Sequence, residues 1–231
     1  MRVLSVTHGP SVPGGVFEHE VEESGHVLER WSAPDGGTPD RAASYDAVMV
    51  FGGAQHPDED NRFAWLGHEE DFLREVLAES VPVFGVCLGA QMLARAAGAR
   101  VGPANEPEIG WYDVELTQEG RGDPVLGAMP ERATVFQWHR YTYDVPGRGT
   151  ELAQSEVCTQ AFRLDGPAWG IQFHAEVTLP MVTAWAAEDP DDVLVPADVL
   201  IAESRTRIGA SNEVGRALAE AFLREAATAT F

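Results

Sequence analysis

The chain has 231 residues, 44% of them hydrophobic and 23% charged, which is sufficient for one large domain with a substantial core. All 16 basic residues are arginine, which excludes mechanisms that need a lysine amine, such as Schiff-base catalysis and phosphate-loop ATP hydrolysis. The 37 acidic residues give a formal net charge of −21, which repels phosphate backbones and anionic lipids. We therefore expect neither nucleic acid nor membrane as a partner.

The first half of the chain predicts alternating strands and helices. Apolar runs bounded by Gly and Pro are typical of buried strands, and apolar residues three and four apart are typical of helices. The predicted elements are, in order, a strand at 2–7, a helix at 16–24, strands at 27–31 and 47–51, a helix at 68–80, a strand at 81–86 and a helix ending at Gly98. This order predicts an open, mostly parallel α/β sheet.

The second half of the chain has a different pattern. Short alternating segments predict antiparallel strands near 112–117, 133–138, 157–164 and 168–174. The C-terminal segment at about 190–228 predicts helix, and its apolar stripe could cover the domain or dock a partner. Because no repeat, linker or low-complexity tract divides the chain, we expect a single domain over 1–231 with its core near 45–185.

The two cysteines cannot form a disulfide framework, and neither belongs to a CxxC pair. The N-terminus is too short and polar for a signal peptide, and no apolar run approaches the length of a membrane span. These features predict a soluble protein of a reducing compartment, and we expect it to be cytoplasmic.

The segment Gly85-Val86-Cys87-Leu88-Gly89 lies where a predicted strand gives way to a helix. This is the nucleophile-elbow arrangement with cysteine in the place of serine, and it needs small residues on both sides of a sharp turn. The helix N-terminus favours the thiolate, and the Leu88 N–H would point at a developing oxyanion. The alternative is a small buried cysteine at an ordinary helix start.

A cysteine nucleophile needs a base, and the base needs a group that orients it. His174 and Glu176 follow the apolar run 169–173, and residues two apart in an extended chain face the same side. Glu176 can therefore hold one nitrogen of His174 while the other faces Cys87. An HxE triplet alone occurs often by chance, so the prediction depends on its pairing with the elbow.

Three other classes of enzyme fail on this pattern. An α/β-hydrolase places its acid before the histidine, whereas Glu176 follows His174. A zinc deaminase needs a PCxxC after its HxE, and no cysteine follows residue 158. The ThiJ/PfpI-type cysteine hydrolases usually place histidine directly after the cysteine, where this chain has Leu88.

The two motifs together resemble the class I glutamine amidotransferases, and in particular the stand-alone proteins similar to the glutaminase domain of GMP synthase. The resemblance covers roughly residues 45–185. The stretches that carry it are Gly85–Gln91, Phe173–Val177, Phe51–Gly53, Glu108–Tyr112 and Phe136–His139. It implies a flavodoxin-like α/β/α sandwich with added antiparallel strands, and an active site at the carboxyl ends of the parallel strands.

The resemblance also implies roles for individual residues. Cys87 would form a γ-glutamyl thioester, His174 would act as general base and then general acid, and Glu176 would orient His174. Gly53 and Leu88 would supply the two N–H groups that bind the oxyanion. These roles describe a hydrolase that cleaves the side-chain amide of glutamine.

Substrate contacts and partners follow from the same resemblance. Gln91 matches the glutamine-contacting position of the family, although a partly exposed helix residue is the alternative. Gln137 and His139 lie in the stretch near the amino-acid end of the substrate. No metal or cofactor is expected. The ammonia released would pass to an acceptor reaction, so the expected partner is an ammonia-accepting synthase subunit.

Two departures from the family pattern keep other functions open. Ala175 replaces the proline common between the triad histidine and glutamate, which is a small change. Arg140 and Tyr141 stand where the family often continues with histidine, glycine and aspartate, and arginine suits a carboxylate. The alternatives are therefore a γ-glutamyl hydrolase acting on a conjugate, and a regulatory subunit that retains the pocket.

Two histidines also follow predicted strands, at the edge where α/β sheets bind ligands. His8 follows the first strand, and His56 follows the strand at 47–51. Each is a candidate for contact with substrate, and a solvated loop histidine is the alternative. Cys158 lies between Val157 and Thr159 in a strand-like run and is predicted to be a core thiol.

Overall fold

A computed structural model describes residues 1–188 and 194–229 of the protein. Over these residues the chain forms a mixed nine-stranded sheet with helices on both faces. The strands are β1 (Arg2–Thr7), β2 (Val27–Ser32), β3 (Ala47–Val50), β4 (Val83–Val86), β5 (Val101–Leu116), β6 (Arg132–Tyr143), β7 (Thr150–Gln154), β8 (Thr159–Arg163) and β9 (Ala168–Ile171). The helices are α1 (Gly15–Glu23), α2 (Trp65–Ala78), α3 (Leu88–Ala96), α4 (Gln118–Gly122), α5 (Leu179–Glu188) and α6 (Ala197–Ala229).

The strand order in the sheet is β2-β1-β3-β4-β9-β8-β7-β5-β6. The first five strands of this order are parallel, and each of the remaining pairs is antiparallel. The predicted α/β/α sandwich with added antiparallel strands is confirmed. Because β4 and β9 are parallel neighbours with Val86 paired to Ile171, the segments that follow both strands begin at one edge of the sheet.

Both faces of the parallel strands are buried, as the near-continuous apolar runs predict. In β1, Val3 belongs to the core that α1 and α6 cover, and the next residue, Leu4, belongs to the core that α2 and α3 cover. A smaller apolar cluster around Phe136 and Trp185 joins α5 to the antiparallel part of the sheet. None of the described helices is both long and apolar enough to cross a membrane.

The antiparallel region differs most from the sequence prediction. The segments predicted at 112–117 and 133–138 are the ends of two much longer strands, β5 and β6. The first part of β5 was not predicted, because it contains Gly102, Pro103 and Gly110, and glycine and proline are rare in strands. The register of the β5–β6 pair shifts between Pro103 and Glu108, and Gly110 has a positive φ of 123°, so β5 is irregular at these positions. Strand β7 was not predicted.

The C-terminal helix also begins later than predicted. The predicted helical segment at about 190–228 corresponds to α6, which starts at Ala197, while residues 190–193 of that prediction lie outside the described residues. The preceding helix, α5, ends at Glu188. The apolar stripe of α6 packs on the sheet: Leu218 and Phe222 are fully buried in the same core as Phe17 of α1.

Candidate active site

Cys87 lies at the turn between β4 and α3, where the sequence predicted a nucleophile elbow. Its backbone adopts φ 52° and ψ −110°, and its N–H donates to the Ile171 carbonyl of β9 at 2.8 Å. The turn requires the flanking glycines: a Cβ on Gly89 would lie 2.1 Å from the Val50 carbonyl oxygen, and one on Gly85 would lie 2.7 Å from the backbone of Gly89. The tight turn thus places the Cys87 sulfur at the N-terminus of α3.

His174 and Glu176 lie directly after β9, beside Cys87. His174 Nδ1 is 2.7 Å from Glu176 Oε1, and both side chains are buried. The His174 ring also faces Cys87, which contributes to the raised pKa of the ring, and since Nδ1 faces Glu176, Nε2 is the nitrogen left for the sulfur. The Cys87 thiol donates to the Trp138 carbonyl at 3.8 Å. Burial lowers the pKa of His174, but the charges and hydrogen bonds of Glu176 and Cys87 outweigh it and raise the pKa above its ordinary value.

The segment that carries His174 and Glu176 is held by backbone contacts from three elements. The His174 N–H donates to the Phe136 carbonyl of β6 at 2.8 Å, and the Glu176 carbonyl accepts from Val16 of α1 at 2.9 Å. A Cβ on Gly215 of α6 would lie only 2.1 Å from the Ala175 carbonyl oxygen. The ring of Trp185 in α5 packs edge-on against His174, with centroids 5.0 Å apart.

A cavity of about 310 Å³ opens in front of Cys87 and His174. This volume is at the lower end of the range for small-molecule sites, which is about 300–1,000 Å³. Trp138 and Trp185 provide apolar surface, and Arg140 and Glu188 place opposite charges on its wall. The opposite charges suit a small zwitterionic molecule.

The two predicted oxyanion donors lie on the same cavity. Gly53 follows β3 and Leu88 begins α3, and both line the cavity beside Cys87. A Cβ on Gly53 would lie 2.6 Å from Leu88 Cδ2, so the two residues are in close contact and only glycine fits at position 53. Gly52 is also confined, because its Cβ would lie 3.0 Å from His174 Cε1.

The three predicted substrate contacts have different positions. Gln91 lines the cavity but is only 3% exposed, and its Nε2 donates to the Tyr141 carbonyl at 2.9 Å and to Gln172 Oε1 at 3.1 Å. It is therefore a buried residue, not a partly exposed one. His139 also lines the cavity. Gln137 does not: it is fully buried, and its amide donates to Gln160 Oε1 at 2.7 Å.

Glu108, His139 and Cys158 form the one described group whose composition could hold a metal, with ligand atoms all within 4.8 Å of one another. Its geometry is that of a hydrogen-bonded network: Glu108 Oε2 accepts from Gln160 Nε2 at 2.7 Å and lies 3.1 Å from His139 Nε2. Burial raises the pKa of Cys158 to about 12, which keeps its thiol protonated. Cys158 is half-buried rather than the core thiol predicted.

The two histidines that follow strands lie in different surroundings. The cavity also includes Trp185, which the sequence did not indicate. His56 lines the cavity and stacks on Tyr141, with ring centroids 4.0 Å apart. His8 neither lines this cavity nor is solvated: it is buried and pairs with Glu69 at 2.8 Å. Trp185 comes from a helix that follows the triad motif and had no signature of its own. Position at a strand end was thus a signal for both histidines, but it did not indicate their partners.

Comparison with known proteins agrees with the geometry. The family model described as glutamine amidotransferase class-I matches residues 18–182. The glutamine amidotransferase-like protein YfeJ of Salmonella typhimurium is 32% identical over 191 residues, which cover 79% of this chain and 78% of that protein. A glutamine-hydrolysing GMP synthase subunit from Natronomonas pharaonis is 32% identical over 146 residues, which cover 62% of this chain and 72% of that subunit.

Solved structures show the same architecture. A glutamine amidotransferase from Thermotoga maritima superposes with a TM-score of 0.87 and 30% identity, covering 96% of this chain and 98% of that one. A glutamine amidotransferase from Methylobacillus flagellatus, at 23% identity, matches the fold with a TM-score of 0.88 over 96% of this chain and 94% of that one.

Proposed function

The chain belongs to the class I glutamine amidotransferase family, and we propose that it hydrolyses the side-chain amide of glutamine at Cys87 and releases ammonia to an acceptor reaction. The observation that carries this proposal is the geometry of Cys87, His174 and Glu176: Cys87 and His174 line one small cavity, and Glu176 is hydrogen-bonded to His174. A nucleophile, a base and a group that orients the base are the minimum set for acyl transfer.

In the proposed reaction His174 takes the proton of the Cys87 thiol, and the sulfur attacks the amide carbon of the substrate, whose carbonyl oxygen becomes an oxyanion. The N–H groups of Gly53 and Leu88 stabilise this charge. His174 then gives a proton to the departing nitrogen, which leaves as ammonia, and a γ-glutamyl thioester remains on Cys87. His174 next takes a proton from water, which attacks the thioester and releases glutamate. Glu176 keeps the His174 ring in its orientation through the bond to Nδ1.

The proposed partner is an ammonia-accepting synthase subunit. Relatives named as one subunit of a glutamine-hydrolysing GMP synthase support this proposal, because that name describes part of a larger enzyme. The cavity opens at the carboxyl ends of the parallel strands, and in this proposal the acceptor receives ammonia at that edge of the sheet. The proposal leaves the chemical identity of the acceptor open.

A glutamine-mimicking diazoketone tests the proposal, with intact-mass detection of the adduct. We expect one adduct on the wild type, blocked by glutamine and absent from Cys87→Ala. The matched control is Cys158→Ala, which should label like the wild type because the Cys158 thiol stays protonated. An adduct that persists in Cys87→Ala, or that glutamine does not block, would contradict the proposal. Labelling suits this test because it needs no partner protein.

A γ-glutamyl hydrolase acting on a conjugate is the second candidate, and Arg140 is the observation that favours it. Arg140 lies on the cavity wall. Its guanidinium suits a carboxylate on the conjugated group, which free glutamine lacks. Turnover of γ-glutamyl amides with bulky leaving amines, together with no release of ammonia from glutamine, would favour this candidate. The small volume of the cavity favours glutamine.

A further inference from the structure

His8 connects the end of β1 to the loop that follows β3. Its Nδ1 lies 2.8 Å from the Gly52 carbonyl oxygen, and its Nε2 lies 2.8 Å from Glu69 Oε2 of α2. The His8 and Glu69 side chains are fully buried. The ring of Trp65 stacks on His8 at 5.2 Å between centroids, with an interplanar angle of 19°. A buried histidine held on both nitrogens and one face has a fixed position.

Both nitrogens of His8 face oxygen atoms that can only accept hydrogen bonds. The carbonyl of Gly52 and the carboxylate of Glu69 are both satisfied only when Nδ1 and Nε2 each carry a proton. Burial lowers the pKa of His8, but the charge and hydrogen bond of Glu69 and the bonds to backbone carbonyls outweigh it and raise the pKa. The hydrogen bond to Gly52 is therefore charge-assisted, which makes it stronger than a neutral one.

The Gly52 carbonyl and the Gly53 N–H belong to one peptide unit. A hydrogen bond to the carbonyl oxygen fixes the plane of that unit and polarises its N–H, since hydrogen bonds in a chain strengthen one another. His8 also fills the space beside Gly53: a Cβ there would lie 2.8 Å from His8 Cβ. The imidazole thus holds the peptide whose N–H is the proposed oxyanion donor.

We infer that His8, held by Glu69, is a positioning residue for the oxyanion-binding N–H of Gly53. The inference rests on the proposed function in one respect, the assignment of Gly53 as an oxyanion donor. It explains why His8 and Glu69 are buried beside the cavity although neither side chain lines it.

Two matched variants separate the two bonds of His8. In His8→Asn the amide nitrogen takes approximately the place of Nδ1 and can still donate to Gly52, whereas in His8→Gln it takes the place of Nε2 and faces Glu69. The readouts are acylation of Cys87 by p-nitrophenyl acetate, which forms an oxyanion, and alkylation by iodoacetamide, which does not. Rates measured on Cys87→Ala are subtracted, so that Cys158 does not contribute.

We expect His8→Gln to lower the acylation rate by about 10-fold or more, in line with the ~100-fold loss typical when an oxyanion donor is removed. His8→Asn should retain most of the rate, and iodoacetamide alkylation should change less than about 2-fold in both, because the oxyanion donor is the part affected. If His8→Gln does not fold, Glu69→Gln is measured instead. It should lower the acylation rate, but by less than the ~100-fold loss typical when an oxyanion donor is removed. Equal acylation in all variants, or a parallel fall in acylation and alkylation, would overturn the inference.

Glutamine hydrolysis by the same variants distinguishes this inference from the proposed function. If the wild type is acylated by the ester but leaves glutamine intact, the proposed function fails, and the ester rates still test His8. If glutamine turnover is normal and His8→Gln matches the wild type, the inference fails and the proposed function stands. When both hold, kcat for glutamine falls in His8→Gln while KM stays within about 2-fold, since the donor acts on the transition state.

Discussion

The backbone of Cys87 has a positive φ of 52°, an angle that residues with a side chain rarely adopt. Such conformations cost about 1–3 kcal/mol and persist where the surroundings determine them. Here the N–H bond to Ile171 and the start of α3 fix the turn from both sides. This strained conformation places the Cys87 sulfur at the N-terminus of α3. Glycine at position 87 would relieve the strain.

The first prediction tests this strain. Cys87→Gly should be more stable than Cys87→Ala by about 0.5–1 kcal/mol, because only glycine adopts a positive φ without a steric penalty. Urea denaturation of the two variants gives the difference in the free energy of unfolding. The control is Ala90→Gly in α3, where the same exchange should destabilise by about 1 kcal/mol or more, because glycine disfavours the helix and the lost methyl group is buried. A Cys87→Ala variant as stable as Cys87→Gly would show that the turn is unstrained.

The second prediction concerns the buried pair of His174 and Glu176. The pKa of His174 is raised to about 10: burial lowers it, but the charges of Glu176 and of Cys87 outweigh burial. The stability that the charged ring contributes is fully present below its unfolded pKa of about 6.5. It is lost as the pH rises through about 10. Glu176→Gln should therefore destabilise the protein more at pH 6 than at pH 10.

Urea midpoints of the wild type and Glu176→Gln at pH 6, 8 and 10 measure this difference. Glu213→Gln is the control, because Glu213 is exposed on α6 and its substitution should change the stability by less than about 0.5 kcal/mol at every pH. A gap between wild type and Glu176→Gln that is constant over this range would contradict the raised pKa of His174.

Helix α6 contributes to the site although it carries none of the predicted catalytic side chains. Gly215 lets the helix approach the backbone between His174 and Glu176, and the surrounding residues leave no room for a methyl group. Gly209 lies six residues earlier in the same helix and is exposed, and a Cβ there would meet no neighbouring side chain or element within 4 Å. The two glycines form a matched pair.

The third prediction uses this pair. Gly215→Ala should destabilise the protein by about 1–3 kcal/mol through overpacking and should lower kcat by displacing the His174–Glu176 segment. Gly209→Ala should stabilise it by about 0.5–1 kcal/mol, because alanine favours a helix over glycine, and should leave kcat unchanged. Thermal denaturation and glutamine hydrolysis measure both effects. Equal behaviour of the two variants would show that α6 does not support the site.

At the level of elements, local patterns were predictable and distant contacts were not. The elbow and the HxE motif were found because each lies within five residues of chain at the end of an apolar strand. His8 was selected by its position after β1, but its partner Glu69 lies 61 residues away on α2, and no local pattern predicts that pairing. Gln137 and His139 are two residues apart on β6, yet only His139 reaches the cavity. The local sequence does not show which part of a long strand borders the cavity.

The sheet is continuous from β2 to β6, and its larger core includes residues from β1 as well as from α6. This continuity supports our proposal that residues 1–231 form a single domain. The sheet places the parallel strand ends, which carry Cys87 and His174, beside the antiparallel strands, which carry Trp138 and His139. The cavity therefore depends on both parts of the fold.

The net charge of −21 predicts how the whole molecule responds to salt. Most arginines that pair with carboxylates do so at the surface, as Arg132 does with Asp113 and Glu115, and exposed pairs contribute about 0–1 kcal/mol each. With 37 acidic against 16 basic residues, the excess negative charges repel one another in the folded state. Salt screens this repulsion. Added salt should therefore stabilise the protein, although salt also weakens the surface ion pairs.

The fourth prediction is that the urea midpoint at pH 7 rises between about 0.02 and 0.5 M NaCl and then levels off. The screening length falls from roughly 20 Å to about 4 Å over this range, after which further salt screens little more. Sucrose is the control: it acts by exclusion from the protein surface, so its effect should keep rising with concentration. A midpoint that falls with salt would mean that the surface ion pairs outweigh the self-repulsion. A rise without a plateau would assign the effect to exclusion rather than to charge.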